Sequence, residues 1–183
     1  AYMAGGMLGS YIGRLLARSD IGLAFADNVI APLLKSMGAA HVLNSSDEDF
    51  VERLRAIAAE LQATAAFEAV GGEMTGTLFN VLPEGATVFV YGALSEEACD
   101  NIDPIELIFR GKTVTGFYLG AWLQERGSFE VLRAASRAQK MLIDGRIETH
   151  VQRTVSLEEA VDGLRQYVDH MTDGKLLIMP QTG

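Results

Sequence analysis

Apolar positions along the chain switch between two spacings, and the switches mark out alternating helices and strands. Leu8, Ile12, Leu15 and Leu16 recur at helical intervals until Asp20-Ile21-Gly22 breaks the pattern. A short apolar run, Leu23 to Ala26, reads as a strand, and His41-Val42-Leu43 as the next, with a helical segment around Leu33, Leu34 and Met37 between them. Ser45 and Glu48 have capping-box spacing ahead of Phe50, Leu54, Ile57 and Leu61, which fall on one helical face. Ala66 to Val70 reads as a buried strand leaving through Gly71-Gly72, Met74 to Leu82 as a helix, and Thr87 to Tyr91 as a strand entered through Pro83-Glu84-Gly85. Lys112 to Leu119 predicts one strand more. Phe129, Leu132, Ser136, Gln139 and Ile143 then line one side of a helix, while Ile147, Thr149 and Val151 alternate as in a strand. Ser156 and Glu159 form a second capping-box pair before Leu157, Val161, Leu164 and Val168, and Lys175 to Met179 closes as a strand. Strand-helix units of this length predict an α/β fold, a Rossmann-type doubly wound parallel sheet with helices on both faces.

Composition narrows the class. The 183 residues suit one domain, and 49% hydrophobic with 21% charged residues matches globular proteins. Fifteen basic against twenty-four acidic residues give a net charge of −9, which argues against nucleic-acid and anionic-membrane partners. A single cysteine, Cys99, excludes an internal disulfide and a cysteine-rich metal site, and a cytoplasmic location is the expectation. The opening Ala1-Tyr2-Met3 reads as the interior of a longer protein, with the sheet's first strand expected to be largely missing.

Ala4-Gly5-Gly6-Met7-Leu8-Gly9 is an AxGxxG variant of the dinucleotide fingerprint set directly before a helix. Gly5, Gly6, Met7 and Leu8 would carry the pyrophosphate: Gly6 lets the backbone approach it, helix amides bond its oxygens, and Gly9 lets helix and sheet pack closely. About twenty residues on, Asp27 or the adjacent Asn28 would meet the adenosine ribose, and a carboxylate there favours NAD over NADP. No Arg or Lys lies between Leu23 and Leu34 to receive a 2′-phosphate. The alternative readings are a glycine turn and a solvated turn aspartate.

Gly38-Ala39-Ala40-His41-Val42-Leu43, Phe67-Glu68-Ala69-Val70-Gly71-Gly72, Leu82-Pro83 with Gly85, Tyr91-Gly92 with Leu94-Ser95, and Gly174 to Ile178 follow one another in an order that resembles the medium-chain dehydrogenase/reductases, in their zinc-independent quinone oxidoreductase and enoyl reductase branch. The resemblance implies an NAD(P)H-dependent oxidoreductase passing hydride to a quinone or an activated alkene or carbonyl compound. By it, Val70, Gly71, Tyr91, Gly92 and Ala93 line the nicotinamide side of the cleft, and Phe117, Tyr118 and Leu119 reach the nicotinamide or a dimer contact. A homodimer through the edge strand 112–119 is expected, as is a missing N-terminal GroES-like substrate domain toward which the C-terminal segment would return. The segment between Asp27 and Lys35 is shorter than the family's. No catalytic side chain and no metal ligand is assigned, and the chain alone is expected to be inactive. His41, His150 and His170 lack ligand spacing, and Cys99, among Glu96, Glu97 and Asp100, is no nucleophile. A non-catalytic dinucleotide-binding protein and a zinc-dependent alcohol dehydrogenase are the rival readings.

Overall fold

The computed structural model describes residues 2–5, 22–26, 34–35, 39–146, 151–169 and 175–180. They fall into two compact units, Ala1–Ile147 and Glu148–Gly183.

In the first unit, six parallel strands form one sheet: β1 (Tyr2–Gly5), β2 (Gly22–Ala26), β3 (His41–Asn44), β4 (Ala65–Glu68), β5 (Thr87–Val90) and β6 (Thr113–Gly116). Their order is β3-β2-β1-β4-β5-β6. The order reverses between β1 and β4, so this is the doubly wound arrangement, with its switch point beside β4. The strand expected to be largely missing is present as Tyr2–Gly5, which pairs with β2 from Tyr2↔Gly22 and with β4 from Tyr2↔Ala65. Four residues suffice to hold a central position because both neighbours satisfy the backbone.

Helices α1 (Phe50–Glu60) and α2 (Gly72–Val81) cover one face of the sheet. Ala66 of β4 and Val88 of β5 point into that face, each fully buried, against Leu54, Ala58, Leu78 and Phe79. These strands are largely apolar runs, as strands of a parallel sheet are. Phe67 and Phe89 project from the other face and stack with ring centroids 5.5 Å apart. Helix α1 starts at Phe50, with Asp49 at its N-cap making no side-chain capping bond. The preceding turn is organised instead by Asn44, whose side chain accepts from the Ser46 amide at 3.1 Å and donates to Asp47 at 2.8 Å.

After β5, helix α3 (Pro104–Phe109) is capped by Asp103, which accepts from the Ile105 amide at 2.8 Å. The strand expected over Lys112–Leu119 is shorter. Lys112 is drawn inside, where its ammonium donates to the carbonyls of Phe79 at 3.0 Å and Asn80 at 3.3 Å and pairs with Glu106. Leu119 already opens α4 (Leu119–Glu125), with Tyr118 as its extended N-cap. Helix α5 (Ser128–Ile143) has no buried residue, so its expected apolar side, with Phe129 and Ile143, is exposed.

The second unit is a β7 (Val151–Val155), α6 (Ala160–Asp169), β8 (Lys175–Ile178) turn, its two strands parallel. The second capping box forms: Ser156 Oγ accepts from the Glu159 amide at 3.3 Å, and the Glu159 carboxylate accepts from the Ser156 amide at 3.2 Å. Gly163 lies against Val155 and Leu176, which fixes α6 on the strand pair.

Candidate active site

Parallel sheets bind ligands beyond the carboxyl ends of their strands, next to the switch point. Two loops of this chain lie there, the β4–α2 loop from Ala69 to Gly71 and the long β5–α3 loop from Tyr91 to Asp103. They are tied together. The Leu94 amide donates to the Ala69 carbonyl at 3.0 Å and the Ser95 amide to the Val70 carbonyl at 2.8 Å. Ser95 Oγ donates to that same Val70 carbonyl at 2.8 Å. Further out, the Asp100 amide donates to Gly72 O at 3.2 Å, and Asn80 Nδ2 donates to Asn101 O at 2.8 Å.

Two glycines make this closeness possible. At Gly92 a Cβ would stand 2.7 Å from the Ala69 carbonyl oxygen, so only hydrogen fits. Gly71 has φ +83° and ψ −160°, a conformation that side-chain-bearing residues avoid.

The anchor beneath the loop is Glu68, the last residue of β4 and fully buried. Its Oε1 accepts from the Val70 amide and from the Gly71 amide at 3.1 Å. Its Oε2 accepts from the Gly71 amide at 3.0 Å and from Thr75 Oγ1 at 2.9 Å. A group that only accepts, at both oxygens, is bonded as a carboxylate. Gly71 is the N-cap of α2, so the helix dipole favours the same charge. No cation pairs with Glu68 among the described residues.

Tyr91 follows β5, and its amide donates to the Glu68 carbonyl at 2.9 Å. Its hydroxyl is buried without a hydrogen-bond partner. Burial first, and the Glu68 charge second, push the phenol above its ordinary range. Phe67, Phe89, Tyr91 and Phe117 line an apolar cavity of about 350 Å³.

The structure therefore gathers Val70, Gly71, Tyr91, Gly92 and Ala93 at one edge, with Phe117 joining through the cavity. Gly5 ends β1 at the switch point. Tyr118 and Leu119 are exposed beyond β6 and do not line the cavity. Gly6, Met7, Leu8, Asp27 and Asn28 lie outside the described residues. Sequence reasoning missed three supports, Glu68, Thr75 and Ser95. A carboxylate closing the apolar run Ala65-Ala66-Phe67 was the available signal for the first. Cys99 is exposed, and no three His, Cys, Asp or Glu side chains come together as metal ligands among the described residues. That donor set does not fit a zinc ion. The Gly71 and Gly92 edge, by contrast, joins two loops at the carboxyl ends of β4 and β5, where open parallel sheets receive ligands.

A family model described as zinc-binding dehydrogenase matches residues 28–136. The chain is 31% identical over 112 residues to a mitochondrial enoyl-[acyl-carrier-protein] reductase of Dictyostelium discoideum, covering 60% of this chain and 30% of that protein. Among solved structures, a Mesorhizobium loti protein assigned as an NADPH:quinone reductase superposes with TM-score 0.80 at 30% identity, over 98% of this chain and 53% of that one. The mitochondrial 2-enoyl thioester reductase heterodimer of Candida tropicalis shares the fold, with TM-score 0.75 at 19% identity, over 97% and 53%. The chain thus spans about a third of that curated relative and about half of the solved structures.

Proposed function

This chain belongs to the zinc-binding dehydrogenase family of the medium-chain dehydrogenase/reductase superfamily, and from that premise we propose that it is the nucleotide-binding part of an NAD(P)H-dependent reductase acting on a quinone or an activated alkene or carbonyl compound. The observation that carries the reading is the Val70–Gly71 and Tyr91–Gly92–Ala93 edge. It sits at the carboxyl ends of neighbouring parallel strands beside the switch point, where Gly71 and Gly92 let the two loops close on each other. A nicotinamide dinucleotide bound there supplies hydride. The chain's own residues do the placing. Glu68 and Ser95 fix the loop backbone, Gly71 and Gly92 let the two loops pack together, and Gly5 to Leu8 receive the pyrophosphate. Asp27 or Asn28 meets the ribose, and Asp27 favours NADH, whereas the Mesorhizobium loti relative has NADPH in its name.

The substrate classes follow the relatives, a quinone reductase and enoyl reductases. In this reading Phe117, Tyr118 and Leu119 approach the ring or a dimer contact, and a homodimer forms through β6, one of the two edge strands of the described sheet. A reducing, cytoplasmic setting suits the one exposed thiol, Cys99. No helix among the described residues is long and apolar enough to cross a membrane. The test is Gly6→Val. It abolishes NADH binding, followed by cofactor fluorescence, with the circular-dichroism spectrum nearly unchanged; retained affinity would reduce the glycine motif to a turn.

A further inference from the structure

We propose that Glu68 is an electrostatic positioning residue: its buried, cation-free carboxylate, bonded to the Val70 and Gly71 amides, biases the nicotinamide site toward the oxidised, positively charged form of the ring. The proposal rests on the nicotinamide reading above and adds a task for a residue that reading used only as a support.

Three observations converge on it. Glu68 has no exposed surface, yet every bond it makes in the structure is one it accepts. A structural cap needs only neutral acceptors, and a fully buried charge is costly unless it is compensated. Compensation here comes from two amides, one hydroxyl and the start of α2, with no cation among the described residues. Part of the negative potential is therefore left over. Secondly, the amides that hold the carboxylate belong to Val70 and Gly71, the residues of the proposed ring edge, so the charge lies directly behind that edge. Thirdly, the field already acts on a neighbour, since it helps push the Tyr91 phenol up. Across the loop from the Gly71 and Gly72 backbone lie Ser95 and Glu97.

A nicotinamide ring that gives up hydride gains a unit of positive charge, which leaves with no counter-ion unless the site provides one. A fixed carboxylate behind the ring edge is such a counter-charge, preorganised and out of water. Its effect is differential: it strengthens binding of the oxidised dinucleotide relative to the reduced one and makes the bound reduced form a better hydride donor. One charge a few ångströms away in a partly buried setting changes such a ratio by about tenfold, which for a two-electron couple is about 30 mV.

The experiment measures dissociation constants of NAD+, NADH and ADP-ribose for the parent chain and Glu68→Gln by isothermal titration. The expected result is unchanged ADP-ribose affinity, with NAD+ weakened about tenfold more than NADH in Glu68→Gln. Thr75→Val, which keeps the charge and removes one of its bonds, should leave the NAD+/NADH ratio within about twofold of the parent's. Equal loss of NAD+ and NADH in Glu68→Gln, or the same ratio change in Thr75→Val, would assign the effect to loop geometry and overturn the proposal. Should Glu68→Gln fail to fold, the parent alone decides. NAD+ should bind about tenfold more tightly than benzamide adenine dinucleotide, a planar and uncharged isostere, and equal affinities would overturn the proposal. A parent that binds no nucleotide, ADP-ribose included, would overturn the nucleotide reading and this proposal together; ADP-ribose binding without charge discrimination would overturn this proposal alone.

Discussion

Gly76 stands in the interior of α2, where helix propensity alone favours alanine by about 1 kcal/mol. The structure reverses that expectation. A Cβ at Gly76 would lie 2.1 Å from the Asp100 carbonyl oxygen and 2.6 Å from that of Asn101. Both are backbone atoms, so relief requires the 100–101 segment to move outward by about 1 Å, as overpacked sites must. That segment is held by the bonds Asp100 N to Gly72 O, Asn80 Nδ2 to Asn101 O and Asp103 N to Asn80 Oδ1. Losing two or three of them costs about 2–3 kcal/mol at roughly 1 kcal/mol each. Set against the propensity gain, Gly76→Ala should destabilise the chain by about 1–2 kcal/mol. Because the same loop carries Ser95 on Val70, affinity for NADH should fall as well. Urea unfolding followed by circular dichroism measures the first effect and fluorescence titration the second. A variant as stable as the parent, or more stable, would refute the claim that loop contact, and not helix propensity, decides this position.

Lys112→Met removes the cation that holds Glu106 and the last carbonyls of α2, at a cost of about 2–3 kcal/mol at neutral pH. The hydrogen bond from Lys112 holds the Glu106 carboxyl below the usual carboxylate range, so its stabilisation is complete above the unfolded value near ~4.3 and is lost as pH falls through the folded value. The gap between parent and variant in urea unfolding should therefore narrow below about pH 4, and a constant gap would contradict the pairing. At the ribose, Asp27 should make NADH bind more tightly than NADPH by about 1 kcal/mol or more in a fluorescence titration, and equal or tighter NADPH binding would remove that assignment. At the sheet edge, Gly116→Pro should convert a dimer to a monomer in light scattering, while an unchanged dimer would place the interface elsewhere. Gly116 is the right position because Thr113 and Phe117 donate to Ala86 and Val90 of the β5 side, so by alternation Thr115 points inward and the Gly116 amide outward.

The strands nearest the site were legible because strands of a parallel sheet read as near-continuous apolar runs: Ala65-Ala66-Phe67 and Thr87-Val88-Phe89-Val90 are unbroken apolar or β-branched runs. The glycines at 71 and 92 were legible for a related reason, since each marks a place where backbone must come close. The strand at 112–119 was too long in the sequence reading. Its apolar letters continue past Gly116, yet Leu119 joins a helix, and Lys112 leaves the edge to reach carbonyls 32 and 33 residues earlier in the chain. After the first capping pair the helix starts only at Phe50, with Asp49 at its N-cap, and Asn44 bonds to Ser46 and Asp47 in the turn before it. Glu68 and Lys112 share a lesson: a charged residue reads as surface in sequence, and only the tertiary placement of backbone donors or acceptors makes its burial tolerable. The Gly6 to Leu8 and Asp27-Asn28 assignments remain sequence arguments, resting on spacing alone.

Whether the edge formed by Val70, Gly71, Tyr91, Gly92 and Ala93 receives a nicotinamide ring can be read directly from amide chemical shifts. In 15N-labelled chain titrated with NADH and, separately, with ADP-ribose, the amides of these five residues should shift with NADH and stay in place with ADP-ribose, which lacks the ring. Equal shifts with both, or shifts with neither, would contradict the account.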